Sequence, residues 1–349
     1  MAKKISQTVP WLTHLLNALL PPIKMQGRDQ AVLQGCTVKI VDGTNIKQQG
    51  EKGEVIRAHM CYDLSHRRME EVHVTDQHTA ESLAVFTISP GCIYIGDAGY
   101  GKGKNYEYIV SGHADALLRV TPGQILLSQS PEGRQKIEMA HKLKTKKDMV
   151  EFSCYVHTEK RKYMPVRIIA CRLPPDKAKQ AIKRKKRDAS KKQYELTEET
   201  LLYAQWMIVM TSLGEAYSAE KIVWLYRLRW QIELVFKRIK QYFKVTRLKA
   251  ASLRHSTAIV LLMLIVWALT EREVVWAEMY LQSKQADMSR YSVWSMSGYY
   301  FHSLKATITR LLALCTDAAI DFLHVFHRLR NHKSSRHNQF ASLLFDSPC

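Results

Sequence analysis

The chain lacks a Cys-x-x-Cys pair and any cluster of cysteine and histidine at metal-ligand spacing. Its seven cysteines are scattered from Cys36 to Cys349 and odd in number. That pattern argues against a zinc module or a disulfide framework and for free thiols in a reducing compartment. The opening MAKKISQTVPW has no apolar stretch of the kind a signal peptide needs. The most apolar run, AIVLLMLIVWAL at 258–269, is too short to span a bilayer and reads as a buried core helix, so no membrane partner is expected. No internal repeat is visible. Acidic residues are scarce, with 32 Asp and Glu against 52 Lys and Arg and a net charge of +20. Such an excess says nothing about fold but favours polyanionic partners, nucleic acid above all, through counterion release from neutralised phosphates.

The chain is 349 residues long and 46% apolar, enough for a sizeable core. Residues 10–35 read as a short helix ended by Pro-Pro, then a loop. CTVKIVDGTNI (36–46) has the β-branched character of a buried strand, with Asp42-Gly43 ending the run. IRAHMCYDL and MEEVHVTD, joined by HRR, read as a hairpin. TAESLAVF (79–86) reads as a short helix with Thr79 as N-cap. CIYIGDAGY (92–100) is a second buried strand. YEYIVSGHADALLRV (106–120) gives a short helix and a strand at 116–120. MVEFSCYVH and MPVRIIACRL alternate like strands within a region that also holds two basic runs, 142–147 and 183–192. AQWMIVMTSL (204–213) returns to buried strand, Ser218 opens a helix, and 252–345 is mostly helical. Strands and helices in this order suggest an α/β sheet with helices on its faces.

The helix after Ser218 contains LYRLRWQIELVFKRIK (225–240). At 100° per residue, Tyr226, Arg229, Glu233, Lys237 and Lys240 share one polar stripe about 80° wide. It runs along the edge of an apolar arc of Leu225, Leu228, Ile232, Val235, Phe236 and Ile239. Glu233 with Lys237 is also an ordinary i,i+4 pair, worth about 0.2–0.5 kcal/mol. Asp42 and Asp97 read equally well as turn formers. Carboxylates at strand ends can nevertheless project from a sheet edge, and if the helix packs beside those strands three carboxylates converge. Three hard oxygen donors without His or Cys suit Mg²⁺ or Mn²⁺. Asp63 and Asp76, near the same sheet, compete for the roles given to Asp42 and Asp97.

The spacing Tyr226-x2-Arg229-x3-Glu233-x6-Lys240, with KIVDGTNI around Asp42 and IYIGDAGY around Asp97, resembles the DDE transposases of the insertion-sequence-4-like family over residues 36–270. The resemblance implies an RNase H-like mixed sheet flanked by helices, with a β-rich insertion before the glutamate helix and a helical C-terminal part. It implies the division 1–35, a short helical remnant; 36–120 and 204–270, the catalytic core; 121–203, the insertion; and 271–349, the helical end. It casts Asp42, Asp97 and Glu233 as catalytic ligands of two Mg²⁺ or Mn²⁺ ions, and Tyr226, Arg229, Lys237 and Lys240 as DNA-binding residues. The implied reaction nicks the ends of an insertion sequence and transfers the freed 3′-OH to target DNA. The implied partners are terminal inverted repeats and target DNA, with a homodimer on paired ends in the bacterial cytosol. Tyr155, Tyr163 and Trp206 are candidates for stacking on a flipped base. Two features depart from the family. Ala98 stands where members often carry Arg, and only some 35 residues precede the first catalytic strand, as in a shortened form. A nuclease of the same fold without strand transfer, or a non-catalytic DNA-binding derivative, stays open on sequence alone. His324, His327, His332 and His337 are ligand-like in spacing but read as surface histidines.

Overall fold

A computed structural model describes residues 7–20, 36–48, 55–76, 78–79, 82–159, 162–243, 247–248, 252–285 and 292–314. The first helix, α1 (Val9–Leu19), precedes β1 (Thr37–Gln48), β2 (Val55–Asp63), β3 (Arg68–Asp76) and β4 (Cys92–Gly96). Then come α2 (Gly103–Ser111), β5 (Asp115–Arg119), β6 (Leu127–Ser128), α3 (Met139–Leu143), β7 (Met149–His157) and β8 (Tyr163–Arg172). After these follow α4 (Pro175–Lys192), α5 (Glu198–Tyr203) and β9 (Trp206–Thr211). The chain continues through α6 (Ala219–Arg227), α7 (Trp230–Phe243), β10 (Arg247–Leu248), α8 (Leu253–Ser283) and α9 (Val293–Leu314).

Among the described residues ten strands form one mixed sheet in the order β3-β2-β1-β4-β5-β9-β8-β7-β6, with β10 beside β1. The first five positions, with β1, β4 and β5 parallel and the β2–β3 hairpin antiparallel on the flank, are the RNase H-like core. The strands of the 121–203 region do not stand apart from it. β9 is antiparallel to β5, and β8, β7 and β6 continue the same sheet outward.

Side chains alternate between the sheet's two faces, so each strand feeds two cores. Val38, Ile40, Ile93, Ile95, Leu117 and Val209 pack with α1, α6, α7, α8 and α9. Val41, Tyr94, Ala116, Leu118, Ile168 and Ile208 pack on the other face, against Phe86 and residues of α2 and α3. The apolar run at 258–269 is the buried heart of α8, as expected. Among the described residues no helix is long and apolar enough to cross a membrane. α8 is tied to the β2–β3 hairpin by polar contacts: Glu271 accepts from the Met69 amide at 2.9 Å, and Glu278 pairs with Arg67 at 3.4 Å.

Three local expectations are corrected. β1 does not end at Asp42-Gly43, because β2 pairs with it from Lys39 through Lys47 and carries it past the glycine. Of the short helix expected at 79–86, residues 80 and 81 lie outside the described residues, and the described part forms a 3₁₀ turn, Leu83–Val85, capped by Ser82, whose hydroxyl accepts from the Ala84 amide. The helix after Ser218 is two helices rather than one. At the joint the Leu228 and Arg229 amides bond three residues back, to Leu225 and Tyr226, so α6 and α7 meet in a tightened turn. The Ser218 cap itself stands, its hydroxyl accepting from the Lys221 amide at 3.2 Å.

Candidate active site

Strand register brings the two aspartates together. The parallel pairing of β1 and β4 runs from Thr37–Cys92 to Val41–Gly96. Asp42 and Asp97 are the next residues on each strand, so they stand side by side where β4 leaves β1. Both have the parity of Ile40 and Ile95 and therefore face the α6–α7 layer. Asp42 thus marks the end of its pairing with β4 rather than the end of its own strand. The backbone fixes both carboxylates: the Gly43 amide donates to Asp42 at 2.7 Å and the Gly99 amide to Asp97 at 2.8 Å.

The third carboxylate arrives on α7. Arg229, at the joint between α6 and α7, donates from Nη1 to Asp42 Oδ2 at 3.2 Å and from Nη2 to Glu233 Oε1. Its side chain is 17% exposed, against 14% for Asp42 and 45% for Glu233. Glu233 therefore turns back to Arg229 rather than forward to Lys237. Burial, then the neighbouring charge of Asp97, pushes the Asp42 carboxyl up to about 7, with Glu233 adding in the same direction and Arg229 and the Gly43 amide opposing. This is a crowded acidic site held together by one guanidinium. Among the described residues no three acidic, histidine or cysteine side chains are close enough to grip a metal ion as they stand.

Tyr226 lies one turn before Arg229, buried, with its hydroxyl beside the Arg229 guanidinium. Burial raises that phenol, and the charges of Arg229, Arg119 and Asp97 all reach it. Lys237 is exposed on α7. Lys240 is half-buried in a small cleft of about 10 Å³ between α7 and the β1–β2 pair, and burial lowers its pKa. The structure therefore gathers Asp42, Asp97, Glu233, Arg229 and Tyr226 at one place. Lys237 and Lys240 continue along α7 without touching the carboxylates.

One residue escaped the sequence reading. Arg119 follows Leu118, the partner of Gly96, so it takes the place beside Asp97 on the third parallel strand. Asp42, Asp97 and Arg119 form a row across β1, β4 and β5. The only signal in the sequence was a cation closing a strand, a feature shared with many surface strands. The loop from Asp97 to α2 is pressed onto the same strand. A Cβ at Gly101 would lie 2.0 Å from the Arg119 carbonyl oxygen, so only glycine fits there.

The competing carboxylates are engaged elsewhere. Asp63 is buried opposite Lys39, three residues along β1 from Asp42, and accepts from the His66 amide and ring. Asp76 accepts from the amides of His78 and Thr79. Of the stacking candidates, Trp206 is buried beneath the Arg172 guanidinium at 4.4 Å. Tyr163 packs edge-on to His157, and Tyr155 sits half-buried on β7. The five described cysteines are free thiols, as expected. His324, His327, His332 and His337 lie outside the described residues.

A family model described as a transposase DDE domain matches residues 34–269. The chain is 33% identical over 233 residues to the transposase of insertion sequence element IS421 of Escherichia coli. It is equally similar to the putative transposase InsL of insertion sequence element IS186A of Escherichia coli strain K12. Each alignment covers 63% of this chain and 62% of the relative, so the chain spans less than two thirds of the length of these relatives. With a DDE-domain match over more than half its length, laid over an RNase H-like sheet, the chain belongs to the DDE transposase family.

Proposed function

We propose that the protein is a DNA transposase of the insertion-sequence-4-like kind, acting in the bacterial cytosol as a homodimer on paired element ends. The observation that carries this reading is the in-register pair Asp42–Asp97, linked through Arg229 to Glu233. Residues 36–120 and 204–270 are the catalytic core in this reading, and 121–203 is an insertion that widens its sheet. Residues 1–35 and 271–349 are the flanking helical parts.

The donor set fits divalent magnesium or manganese. All three side chains offer hard oxygen ligands, and the Asp42 carboxyl, raised first by burial and then by the charge of Asp97, is a group that a divalent cation would hold ionised. Asp42 and Asp97 would hold the metal from the sheet and Glu233 from the helix, once Glu233 leaves Arg229. Two such ions supply activation of the attacking oxygen and stabilisation of the leaving one.

The chain's own residues supply the grip on DNA. Arg229, released from its carboxylates, Arg119 beside Asp97, and Lys237 and Lys240 along α7 present cations to phosphate oxygens. The Tyr226 hydroxyl, buried beside the Arg229 guanidinium, adds a neutral hydrogen-bonding group for a phosphate oxygen. In the first step water attacks an end phosphodiester, breaking its P–O3′ bond and leaving a free 3′-OH. That oxygen then attacks a target phosphorus and expels the target strand's 3′ oxygen.

The test is a labelled duplex carrying the terminal repeats, incubated with Mg²⁺ and either the wild-type protein or an Asp97→Ala variant. Nicking and strand joining by the wild type alone are expected. Equal cleavage by both proteins refutes the assignment, and nicking without joined product reduces the activity to that of a nuclease.

A further inference from the structure

α4 is the most highly charged element of the fold. Nine of its 18 residues are Lys or Arg, against Asp176 in the first turn and Asp188 near the end. Only Ala189 is buried. At 100° per residue, Ala178, Ile182 and Ala189 share the inward side, while Lys177, Lys183, Arg184, Arg187 and Lys191 fall within about 120° on the opposite side. All five are exposed, and none has an ion-pair partner among the described residues. The acids that follow are Glu195, exposed in the connection to α5, and Glu198 and Glu199 in the first turn of α5.

The sheet fixes where this helix begins. Arg119, beside Asp97, is level with Val209 on β9, and Val209 with Ile169 on β8. β8 then runs three residues further, to Arg172, and α4 starts at Pro175. The basic helix therefore springs from the same rim of the sheet as the carboxylates. It stands three strand spacings from β4, about 14 Å along the rim. The second basic run meets it at this corner. Arg172 Nη2 donates to the Thr145 carbonyl at 2.5 Å and to the Lys147 carbonyl at 3.4 Å, holding a turn that exposes Lys144, Lys146 and Lys147.

We propose that α4 and the 144–147 turn form a cationic ledge that holds the phosphate backbone of duplex DNA flanking the bond being cut, without reading its sequence. From Lys177 to Lys191 the stripe is about 21 Å long, or about six base pairs of backbone. The ledge rests on the reading of the chain as acting on DNA. Its own content is that most sequence-independent affinity sits on α4, away from the carboxylates.

The test uses the full chain and a 30-base-pair duplex without terminal repeats, with affinity measured by fluorescence anisotropy across a salt series. The quartet Lys183→Gln, Arg184→Gln, Arg187→Gln and Lys191→Gln removes four phosphate contacts. The slope of log affinity against log salt is expected to shrink by up to about 3.6, at about 0.9 per contact. A charge-conserving quartet, with each Lys exchanged for Arg and each Arg for Lys, is expected to keep the wild-type slope. Unchanged circular dichroism in both quartets shows that the fold is intact. An unchanged slope in the Gln quartet overturns the ledge. Asp97→Asn, measured in parallel, separates the two readings: cleavage that survives it counts against the catalytic site and leaves the ledge standing.

Discussion

Replacing Arg229 by Gln should tighten metal binding while abolishing DNA cleavage. Arg229 lies between Asp42 and Glu233 and bonds both, so a divalent ion must displace it from each. The pair with Glu233, nearly half exposed, is worth about 0.4 kcal/mol. The pair with Asp42, whose two side chains are 17% and 14% exposed, is worth about 1 kcal/mol after screening. Together they amount to about 1.4 kcal/mol, a tenfold change in dissociation constant. At pH 8, above the raised Asp42 value of about 7, that carboxyl is mostly ionised in the wild type, but losing Arg229 lets it rise further, so proton competition makes tenfold an upper bound. Free Mn²⁺ counted by electron paramagnetic resonance in a titration should therefore show Arg229→Gln binding more tightly than wild type, by up to about tenfold. The same variant loses a phosphate contact and should cleave terminal-repeat DNA at a small fraction of the wild-type rate. Unchanged or weaker Mn²⁺ affinity would refute the view that Arg229 stands in for the cation.

Gly101→Ala forces a Cβ against the Arg119 carbonyl and should lower unfolding stability by about 2–4 kcal/mol, read as a fall in denaturation midpoint; an unshifted midpoint contradicts the close packing. Glu271 accepts from the Met69 amide and the Trp267 indole, and burial pushes its carboxyl up to about 7. The folded chain thus holds a proton that the unfolded chain releases near 4.5. Stability should fall as pH rises from about 4.5 through 7, by about 2 kcal/mol once partial exposure is discounted, and level off above that. Glu271→Gln should flatten the profile in denaturant titrations, and a profile that keeps its slope would assign it to another group. Tyr226→Phe removes a buried hydroxyl beside Arg229, so it should cost at most about 1 kcal/mol of stability while raising the Kd for terminal-repeat DNA several-fold; a large loss of stability with unchanged DNA affinity would make Tyr226 structural.

The strongest parts of the fold were legible because they rest on short apolar runs with clear boundaries. KIV and IYIG read as buried strands, and parallel register then puts the residue after each in the same row, which is why Asp42 and Asp97 meet. The stripe Tyr226–Arg229–Glu233 was legible from helical period. Its detail was not: the joint between α6 and α7 contains neither Gly nor Pro, so no local signal marks it. Asp-Gly was read as the end of β1 because that dipeptide favours turns, yet pairing with β2 overrides the preference. Arg119 was missed for a related reason. A charged residue closing a strand has meaning only once its neighbour across the sheet is known, and that pairing spans more than twenty residues of chain. The ledge was half legible, since both basic runs are plain in the sequence but their meeting at Arg172 is tertiary.

The central question is whether Asp42, Asp97 and Glu233 hold one divalent metal site. Anomalous diffraction from crystals grown with Mn²⁺ and terminal-repeat DNA addresses this directly. Manganese peaks lying between the Asp42 and Asp97 carboxylates, with Glu233 turned from Arg229 to meet them, are the predicted result. Manganese elsewhere on the chain, or an acidic row still bridged by Arg229 and free of metal beside bound DNA, would contradict it.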